Sequence, residues 1–246
     1  MKMDLNGEQP MKPQQFAEHK LLMTILNNTF PPGSALPNER DLSEQIGVTR
    51  PTLRETLQRL AREKWITIQQ GKSTLVNDYW KEGGLGMLGT MAKYAAFLPE
   101  EFVPNLLDFR ILLLPPCAKT AVENVPEKFL QHLAYAKKLG DDADAFTQFD
   151  WTLQLLMVRN SKNMIYPLIQ NDFSEIYRRL GIGYFRIEKA RKSSGKFYRK
   201  LERDIQKNGK QVETIVRDVM QESREIWMEL KTGMYISDKD ALHEED

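Results

Sequence analysis

The chain has 246 residues, 41% hydrophobic and 28% charged, long enough to bury a core without a metal or disulfide staple. Lys+Arg 35 against Asp+Glu 34 leave a net charge of +1, which excludes a bulk polycation and confines any nucleic-acid affinity to a local patch. A single cysteine, Cys117, excludes an intramolecular disulfide and a cysteine-clustered zinc site, and it is consistent with a reducing cytoplasm.

Residues 1–15 hold Gly7, Pro10 and Pro13 with few large apolar groups, and read as a mobile tail, not a signal peptide. From Phe16 the apolar spacing predicts a helix, stopped by Asn27-Asn28 and Pro31-Pro32-Gly33. A short second helix is expected after Pro37-Asn38, with Leu42 and Ile46 on one side and Gly47 at its C-cap. A third runs from about Thr49 to Lys64, with Leu53, Leu57 and Leu60 on one face and Pro51 in its first turn, where a missing N–H costs nothing. The period then changes. Trp65–Gln69 and Ser73–Asn77 read as two strands joined by a turn at Gln70-Gly71-Lys72. Three short helices and a hairpin outline a winged helix-turn-helix over residues 16–78.

Residues 79–100 carry Gly83, Gly84, Gly86, Gly89 and Pro99 and read as a linker, helical in part around Met87–Phe97. Residues 101–231 read as helical throughout: about 101–122, 126–139, 142–160, 164–187, 193–208 and 210–231. Pro115-Pro116 are expected to kink the first of these, and the apolar run before them is too short to span a bilayer. Residues 232–246 read as an acidic, disordered tail. The expected fold is therefore mainly α, an N-terminal winged helix-turn-helix followed by an all-α helical bundle.

Arg50, Arg54, Arg59, Arg62, Lys64 and Lys72 are opposed between Arg50 and Lys72 only by Glu55 and Glu63, so this stretch carries +4. Arg50 and Arg54 share the N-terminal side of the third helix, the end that enters the major groove in this motif. An arginine there can donate two hydrogen bonds to guanine, worth roughly 1–3 kcal/mol of discrimination. Thr49 and Thr52, with free N–H groups at the helix start, suit phosphate oxygens, and Gly71 lets the wing backbone approach closely. The plain alternative is a solvated charged helix face; the charges coincide, however, with the reading end of a complete motif.

In the last helix, Ser223 interrupts a stripe of Val212, Val216, Val219, Trp227 and Leu230. In the first helix after the linker, Arg110 lies among Leu106, Leu107, Leu113 and Leu114. Buried unpaired, such groups cost a few kcal/mol or more. Ser223 could simply bond the carbonyl one turn back, Arg110 could pair with a carboxylate such as Glu222, and Tyr177 and Tyr184 could be core. Together they suggest an apolar cavity with a few polar anchors, suited to an amphiphile.

Leu36-Pro37-Asn38-Glu39-Arg40-Asp41-Leu42-Ser43 and Gly47-Val48-Thr49-Arg50-Pro51-Thr52-Leu53-Arg54-Glu55 resemble the signature of the GntR family of regulators. The likeness is to its fatty-acid-responsive FadR subfamily. It extends through Trp65–Lys72 and, more weakly, through Asn105–Arg110, Ile176–Gly181, Glu222-Ser223 and Glu225-Ile226-Trp227. The resemblance implies that Arg40, Thr49, Arg50, Thr52, Arg54, Gln70 and Gly71 lie on operator DNA. It implies ligand contacts at Arg110, Tyr184, Glu222, Ser223 and Trp227. Pro51 and Gln70 stand where the subfamily has threonine and histidine, and Met220 where it has a glycine lining the acyl path, so the pocket is expected to be narrower or tuned to another acyl group.

The implied function is a cytoplasmic, homodimeric transcription factor. It would bind a palindromic double-stranded operator and be released by long-chain acyl-CoA, with no catalytic residues, cofactor, metal or membrane partner. Rival readings keep the DNA module with another small metabolite, such as a sugar acid, or make the chain an acyl-CoA enzyme. His19, His132 and His243 are too few and too scattered for a metal site, Gly71-Lys72-Ser73 lacks the leading glycine of a phosphate loop, and neither G-x-S-x-G nor H-E-x-x-H occurs.

Overall fold

A computed structural model describes residues 11–94 and 97–241, with side chains described as far as Glu229. The chain divides into two compact units, Met1–Leu98 and Pro99–Asp246.

In the first unit α1 (Pro13–Leu26) starts at its proline, three residues before the expected Phe16. Residues 1–10 of the expected tail lie outside the described residues. Asn38 begins α2 (Glu39–Ile46), its Oδ1 accepting from the N–H groups of Arg40 and Asp41 at 3.1 and 3.0 Å. Gly47 ends that helix at φ +81°, a left-handed conformation open to glycine. Two residues later Thr49 caps α3 (Arg50–Arg62), with Pro51 in the first turn. The strands are shorter than expected. β1 (Ile66–Thr67) pairs antiparallel with β2 (Leu75–Val76), Ile66 opposite Val76, and Ala35 adds a bridge to Leu75. Leu21, Ile25, Leu42, Leu53, Leu60, Trp65 and Ile66 are almost fully buried, each apolar side chain contributing roughly 1.5–3 kcal/mol. This core fixes the start of α3 and the hairpin on one rigid body. The segment expected as a linker carries α4 (Tyr79–Glu82) and α5 (Met87–Lys93), and Tyr79, Met87, Met91 and Tyr94 are buried in the same unit.

The second unit is helical. α6 (Phe102–Asn124) runs on through Pro115-Pro116. α7 (Pro126–Leu133) ends in a 3-10 stretch, Ala134–Lys138, and α8 (Ala143–Arg159) is capped by Asp142. The single helix expected over 164–187 is two, α9 (Ile165–Asp172) and α10 (Ser174–Phe185), broken at Phe173. α11 (Glu188–Lys207) begins five residues before the expected 193. α12 (Val212–Ala241) extends into the segment expected as a disordered tail; residues 242–246 lie outside the described residues. Leu114, Cys117, Ala118, Phe129, Leu153, Met157, Tyr198, Leu201, Val212 and Val216 form one core between α6, α7, α8, α11 and α12. Among the described residues no helix is long and apolar enough to cross a membrane.

Candidate nucleic-acid interface and ligand cavity

The start of α3 holds the expected cations outward. Side chains of Arg40, Arg50 and Arg54 are 73%, 56% and 57% exposed. Thr49 Oγ1 lies 2.9 Å from Thr52 Oγ1 and accepts from the Thr52 N–H at 3.4 Å, so both hydroxyls sit beside the first turn of the helix. Gly71 turns the hairpin at φ +71° with nothing within 4 Å of where a Cβ would stand, and Gln70 beside it is exposed.

One residue here was not foreseen. Glu39, at the start of α2, accepts from Arg54 Nε at 2.7 Å and lies 3.9 Å from Arg50 Nη2. It joins the two helices and partly neutralises the patch. Pairs this exposed contribute at most about 1 kcal/mol, so a phosphate or a base edge can take the arginines over. Its signal was the acid at the first turn of α2, read only as part of a motif.

The second unit contains a cavity between α6, α8, α10 and α12, lined mainly by apolar groups such as Leu106, Phe173, Ile176 and Val219. Its free volume is about 80 Å³. Of the five expected ligand residues, Arg110, Tyr184, Ser223 and Trp227 line it together; Glu222 does not, and its side chain is exposed.

Arg110 makes no ion pair among the described residues. Its Nη2 donates to Met220 Sδ at 3.1 Å, the guanidinium lies 5.6 Å from the Tyr177 ring centroid, and its buried Nε has no partner. Pairing with Glu222, the structural alternative, is therefore not what the fold uses. The Tyr184 hydroxyl and Trp227 Nε1 are likewise buried without partners. Ser223 Oγ donates to the Met220 carbonyl at 2.9 Å, the plain alternative for that residue.

Behind Arg110 is a network absent from the expected site. Asp150 is buried, and its carboxylate accepts from Tyr177 Oη at 2.5 Å, Tyr198 Oη at 2.9 Å and Gln154 Nε2 at 2.8 Å. Gln170 Nε2 donates to Gln154 Oε1 at 3.2 Å. Burial, then the Asp150 charge, pushes both tyrosine hydroxyls well above the usual phenol value. Burial also raises Tyr184, against the opposing pull of Arg110. All three stay protonated; Tyr177 and Tyr198 donate to Asp150, and the Tyr184 hydroxyl has no acceptor. The signal was legible: Asp150 and Gln154 are four apart on the face of α8 that carries Phe146, Leu153 and Met157.

Among the described residues no cluster of His, Cys, Asp or Glu could hold a metal ion.

Comparison with known proteins bears on both sites. Residues 13–76 match the family described as bacterial regulatory proteins, gntR family, and residues 77–237 match the FadR C-terminal domain. The chain is 46% identical over 189 residues to the fatty acid metabolism regulator proteins of Yersinia pestis (strain Pestoides F) and Yersinia pseudotuberculosis serotype O:1b (strain IP 31758), covering 77% of this chain and 79% of each relative. A solved structure of Lar, which controls expression of the Listeria monocytogenes agr system, superposes with a TM-score of 0.56 at 13% identity, covering 91% of this chain and 100% of that one. At that identity the likeness is one of fold.

Proposed function

Because the chain belongs to the GntR family of bacterial regulatory proteins, and to its branch with a FadR C-terminal domain, we propose that it is a cytoplasmic, acyl-CoA-responsive regulator of fatty-acid metabolism genes. Membership of the family makes it a DNA-binding transcriptional regulator and not an enzyme. The reading carries further on one observation: an apolar cavity in which Arg110 Nε, Tyr184 Oη and Trp227 Nε1 are donors awaiting an acceptor. An acyl chain with a carbonyl at its head meets both requirements.

In this reading residues 16–78 are the reading head. Arg50 and Arg54 donate to guanine in the major groove, Arg40, Thr49 and Thr52 hold phosphates, and Gln70 and Gly71 carry the wing to the adjacent minor groove. Two heads of a homodimer occupy the half-sites of a palindrome. Residues 101–231 are the sensor, with Arg110, Tyr184, Ser223 and Trp227 on the ligand and Glu222 at the cavity's edge. Long-chain acyl-CoA favours the state that does not fit the operator.

The test uses duplexes selected from a random pool by the full chain. Arg50→Ala should weaken binding about 5- to 150-fold, the equivalent of a lost bidentate contact of roughly 1–3 kcal/mol. Palmitoyl-CoA should release the wild-type complex in fluorescence anisotropy. Release by a sugar acid, with palmitoyl-CoA inert, would replace the acyl reading with the smaller metabolite that an 80 Å³ cavity favours at first sight.

A further inference from the structure

The contact from Arg110 to Met220 is chemically lopsided. A thioether sulfur is a weak acceptor, whereas a guanidinium makes its strongest hydrogen bonds to carboxylate or carbonyl oxygen. Met220 is 4% exposed, lines the cavity and supplies the one hydrogen bond that the Arg110 guanidinium makes among the described residues. The free volume beside it, about 80 Å³, is far below the roughly 300–1,000 Å³ of ordinary ligand pockets. The cavity is thus both filled and half-satisfied from within.

We propose that Met220 is a displaceable plug whose sulfur stands in for the oxygen of the ligand's head group on Arg110. The inference rests on reading this cavity as the effector site, and it assigns to Met220 the control of which amphiphiles enter. Three rotatable bonds let a methionine side chain leave without disturbing the backbone. The neighbouring seam is held independently, Arg224 Nε lying 2.6 Å from Asp108 Oδ1 between α12 and α6. The oxygens of the ligand's head group take the vacated contact and the free Nε of Arg110, and the Tyr184 hydroxyl and Trp227 Nε1 are further donors open to that head group. The apolar tail takes the volume the thioether leaves.

Two substitutions drive the plug in opposite directions. Met220→Ala removes both volume and acceptor. Met220→Gln keeps the length and offers Arg110 a stronger acceptor, an amide oxygen. Sodium decanoate is titrated into each full-length protein by calorimetry. Met220→Ala should bind it at least about tenfold more tightly than wild type, and Met220→Gln more weakly by a similar factor. A misfolded variant loses affinity, so the gain in Met220→Ala is the diagnostic result. No gain in Met220→Ala, or both variants shifting the same way, overturns the plug. Decanoate needs no coenzyme A, so a gain in Met220→Ala with no operator release by acyl-CoA would leave the plug standing and remove the acyl-CoA reading alone.

Discussion

Asp150 shows how one buried charge organises this molecule. A lone carboxylate in a protein interior is costly, but three donors from α8, α10 and α11 converge on it, and the Arg110 cation lies close enough to pull on Tyr177 and Tyr184. Tyr177 is fixed by this network and in turn presents its ring to Arg110. His132 is half-buried, stacked on Phe149 with Nε2 donating to the Phe149 carbonyl at 3.0 Å. Burial lowers its pKa below the ordinary 6.5, outweighing the hydrogen bond and the Asp150 charge. The unfolded chain therefore binds more protons as pH drops through 6.5, and His132's contribution, complete above that value, is lost below it. Thermal melts between pH 7.5 and 5.5 should show a steeper fall for wild type than for His132→Gln; parallel slopes would mean that folding does not shift the titration of this imidazole.

At the scale of elements, the closeness of helices sets the cavity. α8 and α10 approach so tightly at Gly181 that an added Cβ would stand 2.8 Å from Thr147 Cγ2. Thr147 has little freedom to yield, since it is buried and its Oγ1 donates to the Ala143 carbonyl at 2.7 Å. Two residues on, Gly183 has nothing within 4 Å of its would-be Cβ. The pair separates packing from propensity within one helix. Gly181→Ala should lower stability by about 1–2 kcal/mol, overpacking outweighing the helical preference for alanine. Gly183→Ala should raise it by about 0.5–1 kcal/mol. Urea denaturation measures both, and stabilisation by Gly181→Ala would show that α10 can retreat from α8 freely. α3 obeys the same logic: its start is set by Thr49 and by the left-handed turn at Gly47, so the orientation of Arg50 and Arg54 follows from two caps.

For the whole molecule, the proposal couples two sites in two separate units, and thermodynamics constrains it. Whatever factor acyl-CoA takes from operator affinity, the operator must take from acyl-CoA affinity. Titrating palmitoyl-CoA into the protein with and without saturating operator should return the same ratio as titrating operator with and without palmitoyl-CoA. Unequal ratios would mean that the two ligands do not compete through one conformational equilibrium, and that release comes from a second binding event.

Local chemistry made much of this legible. Pro51 in the first turn of α3 and Gly47 in its turn act over a few residues, so α2 and α3 could be placed from sequence, whereas α1 starts at Pro13, inside the stretch that reads as tail. Near-neighbour periodicity likewise found the helices of the second unit, though it ran α9 and α10 together because the apolar spacing continues across Phe173. Tertiary structure alone decided what meets what inside the cavity. Arg110 finds Met220 across 110 positions of chain, Tyr198 finds Asp150 across 48, and Glu222 turns outward one residue from a lining serine. Hydrogen bonds between distant helices depend on how those helices pack, and no short window of sequence encodes that.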